Sequence, residues 1–137
     1  KVPTSTVIIV DDHRLFRNGL KFILSEIENI EVLAEASNGL ECMEILKNYK
    51  PDLVLMDINM PEMNGIETAK VIEQEFDVPI IYLSSDIEHE TFLQTIQKNT
   101  YGFLVKPITK KASLRTTIEF AYYKHRYDRN LSLTNQS

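Results

Sequence analysis

Short apolar runs recur along the chain, and each one ends at polar or turn-forming residues. Four of these runs lie at Thr6–Val10, Leu53–Met56, Ile80–Leu83 and Gly102–Val105. Continuous apolar runs of this length are typical of strands that are buried on both faces, as in a parallel sheet. A fifth segment, Ile30–Ala36, alternates between apolar and polar residues and also predicts a strand.

Amphipathic segments separate these strands. Their apolar side chains recur at spacings of three and four residues, which places them on one face of a helix. The spacing predicts five helices, at about 13–27, 40–48, 66–76, 88–98 and 110–127. Asp12 is well placed to cap the first helix. Leu15 and Phe22 lie off its apolar face, so they belong either to the fringe of the core or to a surface for a partner.

Strands that alternate with helices favour a parallel sheet with helices on both faces. We therefore expect an α/β fold with a doubly wound, five-stranded parallel sheet in a three-layer α/β/α sandwich. Right-handed crossovers restrict the topology, and the flavodoxin-like strand order is 2-1-3-4-5. We expect a domain at residues 6–128, after an N-terminal tail at 1–5. The tail at 129–137, frayed from residue 130, would begin a linker to an output or partner domain.

The composition is that of an ordinary globular domain. The chain has 137 residues, of which 43% are hydrophobic and 26% are charged. No apolar run approaches the roughly 20 residues needed to span a bilayer, and no signal peptide is visible, so we expect no membrane association. Cys42 is the only cysteine and no Cys/His zinc spacing exists, so we expect a small core or half-buried residue at 42 and a cytoplasmic location.

The charge is unevenly distributed. The first 100 residues carry 18 acidic and 8 basic side chains, whereas the last 37 carry 2 and 7. The basic end is either a solvated helix or a docking surface for an acidic partner. Because the chain as a whole is acidic and has no nucleic-acid-binding motif, we expect no direct contact with nucleic acid.

Reactive side chains follow four of the five predicted strands. Asp11 and Asp12 come after the first strand, Asp57 after the third, Ser84 at the end of the fourth, and Lys106 after the fifth. In the order 2-1-3-4-5 the first and third strands are neighbours at the switch point where open α/β folds bind ligands. The three aspartates would therefore share one crevice, where they repel each other and raise each other's pKa.

A divalent cation would relieve this repulsion. Mg²⁺, or Mn²⁺ in its place, prefers oxygen ligands and is often held by one or two carboxylates together with phosphate oxygens. Asp12 would bind the ion directly, and Asp11 directly or through water. The backbone carbonyl of Asn59 could supply a further ligand. The three histidines, His13, His89 and His125, are scattered along the chain, so we expect no histidine-based metal site.

The same side chains suit phosphoryl transfer. A cation, the Lys106 ammonium and the Ser84 hydroxyl would stabilise the negative charge on the peripheral oxygens of a phosphoryl group. Asp57 could act as the nucleophile and form an aspartyl phosphate. Each residue alone has a simpler explanation, because strand-end aspartates often start turns and most lysines are solvated. Their joint occurrence at the ends of four strands favours the chemical role.

These motifs together resemble the receiver domain of two-component response regulators. The resemblance covers about residues 6–123 and rests on DD at 11–12, DINMP at 57–61, NG at 64–65, LSS at 83–85 and KP at 106–107. It implies that Asp57 accepts a phosphoryl group from a phosphohistidine on a sensor histidine kinase or a phosphotransfer protein. It also implies a Mg²⁺ site formed by Asp11, Asp12, Asp57 and the Asn59 carbonyl.

The resemblance further implies a conformational switch. Ser84 would move to contact the phosphoryl group, Phe103 would turn inward, and Lys106 would bind the phosphate, next to a cis Lys106–Pro107 bond. A homodimer through the fourth helix, fifth strand and fifth helix is one arrangement of this family. The run DDHRLFRNGL at 11–20 resembles receivers that precede a helix-turn-helix output domain, although the residues after about 123 do not resemble one.

Three other functions are weaker. A phosphatase of the haloacid-dehalogenase kind also uses a strand-end Asp, but it usually has a second Asp two residues later, where this chain has Asn59. A flavin or nucleotide binder would need a phosphate loop where Asp11 and Asp12 stand. A receiver-like module used only for protein binding would not need the full acidic, hydroxyl and lysine set. We therefore expect a signalling phosphoacceptor, not an enzyme, that assists its own phosphorylation and dephosphorylation.

Overall fold

A computed structural model describes residues 4–60, 65–90 and 101–135 of the chain. The sheet has five parallel strands in the order β2-β1-β3-β4-β5, as predicted. The strands are β1 (Ser5–Val10), β2 (Ile30–Ala36), β3 (Leu53–Asp57), β4 (Ile80–Ser84) and β5 (Gly102–Val105). The switch point therefore lies between β1 and β3.

Helices follow the strands as the sequence predicts. They are α1 (Arg14–Ser25), α2 (Gly39–Leu46), α3 (Gly65–Phe76) and a C-terminal helix (Lys111–Asn135). Residues 88–90 are also helical. The rest of the helix predicted at 88–98 lies outside the described residues.

Two apolar clusters show why the strands are apolar throughout. Successive strand residues point to opposite faces of the sheet, so Ile8 packs on the face covered by α2 and α3. Its neighbour Ile9 packs on the face covered by α1 and the C-terminal helix. Both faces are therefore covered, which confirms the predicted three-layer sandwich.

Asp12 does not cap α1. The N-cap residue is His13, and its side chain makes no capping hydrogen bond. The preceding carboxylate is used instead, because Asp11 Oδ1 accepts the His13 backbone N–H at 2.8 Å. The prediction of an Asp12 cap is therefore wrong, and Asp12 is left beside the acidic cluster described below.

The C-terminal helix continues to Asn135, beyond the predicted end near residue 127. The prediction of a frayed segment is wrong for residues 130–135, and residues 136–137 lie outside the described part. Two contacts tie the first residues of the extension to the domain: the Tyr101 hydroxyl donates to Asp128 at 2.9 Å, and Arg129 lies 3.5 Å from Asp77.

Two smaller questions left by the sequence are settled by burial. Leu15 and Phe22 are 86% and 66% exposed, so they are surface residues of α1 and not fringe core. Cys42 is fully buried and carries a free thiol, so it is a core residue and not a half-buried one. In the described ranges, no helix combines the length and the hydrophobicity needed to cross a bilayer.

Candidate functional site

The carboxyl ends of four strands meet at one edge of the sheet, and backbone hydrogen bonds fix their side chains there. Asp11 directly follows β1, and its N–H donates to Ala36 at the end of β2 (3.0 Å). Asp57 is the last residue of β3 and lies opposite Leu83 of β4. The Lys106 N–H donates to the carbonyl of Ser84 (2.8 Å), which joins the ends of β5 and β4.

Three carboxylates and one imidazole form a compact cluster. Asp11 and Asp57 are 0% and 2% exposed, whereas Asp12 is half-buried and His13 is exposed. One ligand atom from each of these four residues lies within 4.8 Å of all the others. The structure therefore brings the three predicted aspartates together and adds His13, which the sequence reasoning did not include.

Lys106 lies between the two buried carboxylates. Its Nζ is 2.6 Å from Asp11 Oδ2 and 3.4 Å from Asp57 Oδ1. The same ammonium stands 4.3 Å from the ring centroid of Phe16, a cation–π contact from α1. The Lys106–Pro107 peptide bond is cis, as the resemblance implies. The ion pair with Asp11 and the cation–π contact with Phe16 therefore hold the Lys106 ammonium next to Asp57.

Burial and charge make Asp57 a weaker acid than usual. Burial raises its pKa from 3.8 to about 6, and the negative charge of Asp11 adds to the effect. Lys106 and the Asn59 N–H, which donates to Asp57 Oδ1 at 3.3 Å, act in the opposite direction. Carboxylate repulsion therefore contributes as predicted, but loss of solvent is the larger cause.

The side chains present fit a hard divalent cation. Asp12 Oδ1 and Asp57 Oδ2 are both buried, and neither has a hydrogen-bond partner. Asp12 Oδ1 does lie 3.3 Å from His13 Nδ1, so the oxygen with no contact of either kind is Asp57 Oδ2, and a buried carboxylate oxygen in that position is costly. The oxygen chemistry of the two carboxylates is that preferred by Mg²⁺ and Mn²⁺. The Asn59 backbone adjoins the cluster through its hydrogen bond to Asp57.

The hydroxyl and aromatic groups predicted to act as a switch lie near this edge but are engaged elsewhere. Ser84 is fully buried. Its Oγ lies 2.6 Å from Nδ1 of His89 and accepts the Asp86 N–H at 3.0 Å. Phe103 is half-buried and packs against the core on the α2 and α3 face. In the described residues, neither side chain makes a hydrogen bond or ion pair with the acidic cluster.

Sequence reasoning missed three contributors besides His13. Phe16 recurs at helical spacing with the apolar residues of α1, which indicates a core position, and its contact with Lys106 spans 90 residues of sequence, so no local pattern indicates that contact. His89 follows Ser84 by five residues, a spacing without a known signal. Gly65 had a signal in the Asn-Gly pair: a Cβ there would collide with the Asp57 carbonyl oxygen, so the chain passes too close for any side chain.

Comparisons with known proteins agree with this geometry. The chain is 38% identical over 111 residues to the uncharacterized transcriptional regulatory protein YhcZ of Bacillus subtilis (strain 168), over 80% of this chain and 52% of YhcZ. It is 34% identical over 112 residues to the nitrate/nitrite response regulator protein NarL of Escherichia coli (strain K12), over 81% and 52%. The chain thus spans about half the length of these curated relatives.

The fold gives the same result. The signal receiver domain of a modulated diguanylate cyclase from Desulfovibrio desulfuricans G20 matches with a TM-score of 0.80 and 31% identity, over 91% of this chain and 98% of that one. The response regulator domain of Thermotoga maritima CheB matches with a TM-score of 0.77 and 29% identity, over 88% and 97%. The family profile described as the response regulator receiver domain matches residues 7–119. This chain therefore belongs to the response regulator receiver domain family and is a signalling domain of two-component systems.

Proposed function

We propose that this domain is a phosphoacceptor in a two-component phosphorelay and that Asp57 is the residue phosphorylated. One observation carries the proposal: a buried carboxylate with an unpartnered oxygen stands beside Lys106 and two further aspartates at the switch point of the sheet. The domain is not an independent enzyme. It assists the formation and hydrolysis of its own aspartyl phosphate.

The transfer step follows from these positions. A carboxylate oxygen of Asp57 forms a bond to the phosphorus of a phosphohistidine, and the bond from phosphorus to the histidine nitrogen breaks. That nitrogen leaves with the electron pair, and because the other ring nitrogen of the phosphohistidine carries a proton, the histidine is left as a neutral imidazole. Lys106 donates a hydrogen bond to a peripheral oxygen and offsets its charge. Hydrolysis then removes the phosphoryl group: water attacks the phosphorus, the bond from phosphorus to the Asp57 oxygen breaks, and inorganic phosphate and the free Asp57 carboxylate are released.

Mg²⁺, or Mn²⁺ in its place, would be held by Asp11, Asp12, Asp57 and the backbone carbonyl of Asn59. When bound, the ion supplies positive charge to the phosphoryl oxygens. Asp11 also keeps Lys106 in place, through the 2.6 Å contact. The acidic cluster therefore serves both the cation and the lysine.

Phosphorylation would then bias a switch. The Ser84 hydroxyl turns to donate to a phosphoryl oxygen, and Phe103 turns into the space that Ser84 leaves. The surface formed by the predicted fourth helix, β5 and the C-terminal helix changes as a result. This is a shift between two populations of one fold, driven by new contacts to the phosphoryl group.

The partners follow from exposed apolar side chains. Leu15 and Phe22 on α1 lie seven residues apart, with Leu15 close in sequence to the acidic cluster, and both are exposed. We assign them to the docking surface for a sensor histidine kinase or a phosphotransfer protein. Phe120 and Tyr123 of the C-terminal helix and Val105 of the edge strand are exposed too, and they would support a homodimer through this face.

The site of action and the domain limits complete the proposal. We place the domain in the cytoplasm, where its phosphodonors act. Residues 6–128 form the receiver, and the segment from 129 onward starts a linker to an output or partner domain. The half-length match to the curated relatives agrees with a longer regulator.

A test of Asp57 needs only a small phosphodonor. The protein is incubated with acetyl phosphate and Mg²⁺, and the intact mass is measured before and after base treatment. We expect one base-labile phosphoryl group, which is absent in Asp57→Asn and in the presence of EDTA. The matched control is Asp77→Asn, because the Asp77 side chain is 70% exposed and Asn tolerates its φ of 51°. Unmodified wild-type protein, or equal modification of Asp57→Asn, would refute the proposal.

A test of the docking surface compares two donors. Leu15→Asp should leave modification by acetyl phosphate unchanged, because Leu15 is exposed and outside the cluster. It should slow transfer from a phosphorylated histidine phosphotransfer domain. Equal rates with that protein donor would exclude Leu15 from the docking surface.

A further inference from the structure

The Ser84 hydroxyl is held by a histidine that no part of the proposed function uses. His89 Nδ1 lies 2.6 Å from Ser84 Oγ, and His89 is half-buried. The segment that carries His89 is itself fixed: Asp86 Oδ1 accepts the Glu88 N–H at 2.9 Å, and the Asp86 carbonyl accepts the His89 N–H at 3.1 Å. The imidazole is therefore presented to Ser84 by a capped helical turn.

Two acceptors lie within reach of the Ser84 hydroxyl proton. Ser84 Oγ has one proton to donate, and it lies 2.6 Å from His89 Nδ1 but 3.3 Å from the Asp86 carbonyl oxygen. We assign the proton to the shorter contact, with Nδ1 of His89 as the acceptor, and the nitrogen resonance measured below tests that assignment. Nε2 lies 4.0 Å from Oδ2 of the exposed Asp86, which is beyond hydrogen-bond distance.

We propose that His89 is a positioning residue that holds the Ser84 hydroxyl in the resting orientation and so opposes the active state. The inference rests on the proposed function, because it concerns how Ser84 reaches a phosphoryl group on Asp57. Ser84 has a single hydroxyl proton and cannot donate to His89 and to the phosphoryl group at once. Activation therefore requires the bond from Ser84 to His89 to break.

The size of the effect follows from one hydrogen bond. Ser84 is fully buried, so its hydroxyl loses the His89 partner without a solvent replacement when it turns. The net contribution of one such bond shifts an equilibrium by about 2- to 10-fold. A ligand that binds only the active state is weakened in proportion to the population of that state. Removing His89 should therefore tighten binding of a phosphoryl mimic by about 2- to 10-fold.

The test is a double-mutant cycle with beryllofluoride as the probe. Binding to the full chain in excess Mg²⁺ is measured by isothermal titration calorimetry. His89→Ala should bind about 2- to 10-fold more tightly than wild type. In a Ser84→Ala background the same substitution should have no effect, since the bond is already absent. The exposed neighbour Glu90→Ala is the matched control and should match wild type.

Two conservative variants separate positioning from simple packing. His89→Asn places an amide near the position of Nδ1 and should restore wild-type affinity. His89→Gln places its amide near the position of Nε2 and should behave like His89→Ala. A further readout needs no phosphoryl mimic: in metal-free wild type the Nδ1 resonance of His89 should be that of an unprotonated, hydrogen-bonded nitrogen, and Ser84→Ala should shift it.

The outcomes distinguish the two levels of the proposal. Wild-type protein that does not bind beryllofluoride would overturn the role of Asp57, and the role of His89 with it. Wild-type binding together with unchanged or weaker binding by His89→Ala would overturn the role of His89 alone. An equal gain from His89→Ala in the Ser84→Ala background would also overturn it, because the effect would not pass through the hydroxyl.

Discussion

Replacing Asp57 by Asn should stabilise the metal-free protein at pH 8. Burial and the charge of Asp11 raise the pKa of Asp57 from 3.8 to about 6. Between these two values the unfolded chain gives up its proton before the folded protein does, so the free energy of unfolding falls as the pH rises. The contribution of Asp57 to the free energy of unfolding is therefore fully present below pH 3.8, and it is lost progressively as the pH rises to about 6.

The magnitude follows from the same values. A rise from 3.8 to about 6 corresponds to a penalty of about 3 kcal/mol once Asp57 is ionised in both states. At pH 5 the penalty is about half as large, because the folded protein still holds most of its proton. The amide of the Asp57→Asn variant carries no charge, and the attraction of Lys106 3.4 Å away is already contained in the pKa of about 6, whereas the new amide gives up part of the packing and hydrogen bonding of the acid. We therefore expect a gain of about 1–3 kcal/mol at pH 8.

The assay is urea unfolding in EDTA at pH 5 and pH 8, followed by far-ultraviolet circular dichroism. The gain of Asp57→Asn over wild type should be about 1–2 kcal/mol larger at pH 8 than at pH 5. Excess Mg²⁺ should reduce or reverse the difference, because wild type gains binding free energy and the variant lacks one ligand. A variant less stable than wild type at pH 8 in EDTA, or a gain that does not grow with pH, would refute the reasoning.

Two further substitutions test the supports of this site. Lys106→Met removes the cation 2.6 Å from the buried Asp11 carboxylate. Urea unfolding in EDTA should therefore show a free energy of unfolding lower by about 3 kcal/mol. A decrease of less than about 1 kcal/mol would contradict this prediction. Gly65→Ala adds a Cβ that collides with the Asp57 carbonyl oxygen and should cost about 1–3 kcal/mol and slow phosphorylation by acetyl phosphate. Its control is Gly19→Ala in α1, where a Cβ meets nothing within 4 Å. That substitution should raise the free energy of unfolding by about 0.5–1 kcal/mol. Equal effects at both positions would contradict the close approach at Gly65.

The sheet and the location of the site could be predicted because both follow from patterns local in sequence. Apolar runs such as Val7–Val10 pack on both sides of the sheet, and that requires helices on both faces. A polar residue directly after each run must then lie at the carboxyl edge. The contact of Asp11, Asp57 and Lys106 is a consequence of strand order, and the order was correct.

The details that depend on side-chain direction could not be predicted. Asp11 and Asp12 are adjacent and chemically identical, yet Asp11 accepts the His13 N–H while Asp12 keeps an oxygen without a hydrogen bond. Sequence spacing assigned the cap to Asp12, since it cannot tell which of two neighbouring carboxylates turns back towards the helix. The start of the extension of the C-terminal helix likewise meets Tyr101 through Asp128, and the two residues are 27 positions apart in sequence.

The features that make this edge costly to fold are the ones that make it reactive. If Asp57 were exposed to solvent, ionising its carboxylate would cost no stability. Water would then occupy its oxygens, and salt would screen its charge. Burial at 2% exposure removes that solvent, raises the pKa, and leaves one oxygen without a partner beside Lys106. The unpaired oxygen therefore marks where a cation and a phosphoryl group gain most by binding. On this view Asp57→Asn should gain stability and lose function together, which separates a reactive carboxylate from one that only starts a turn.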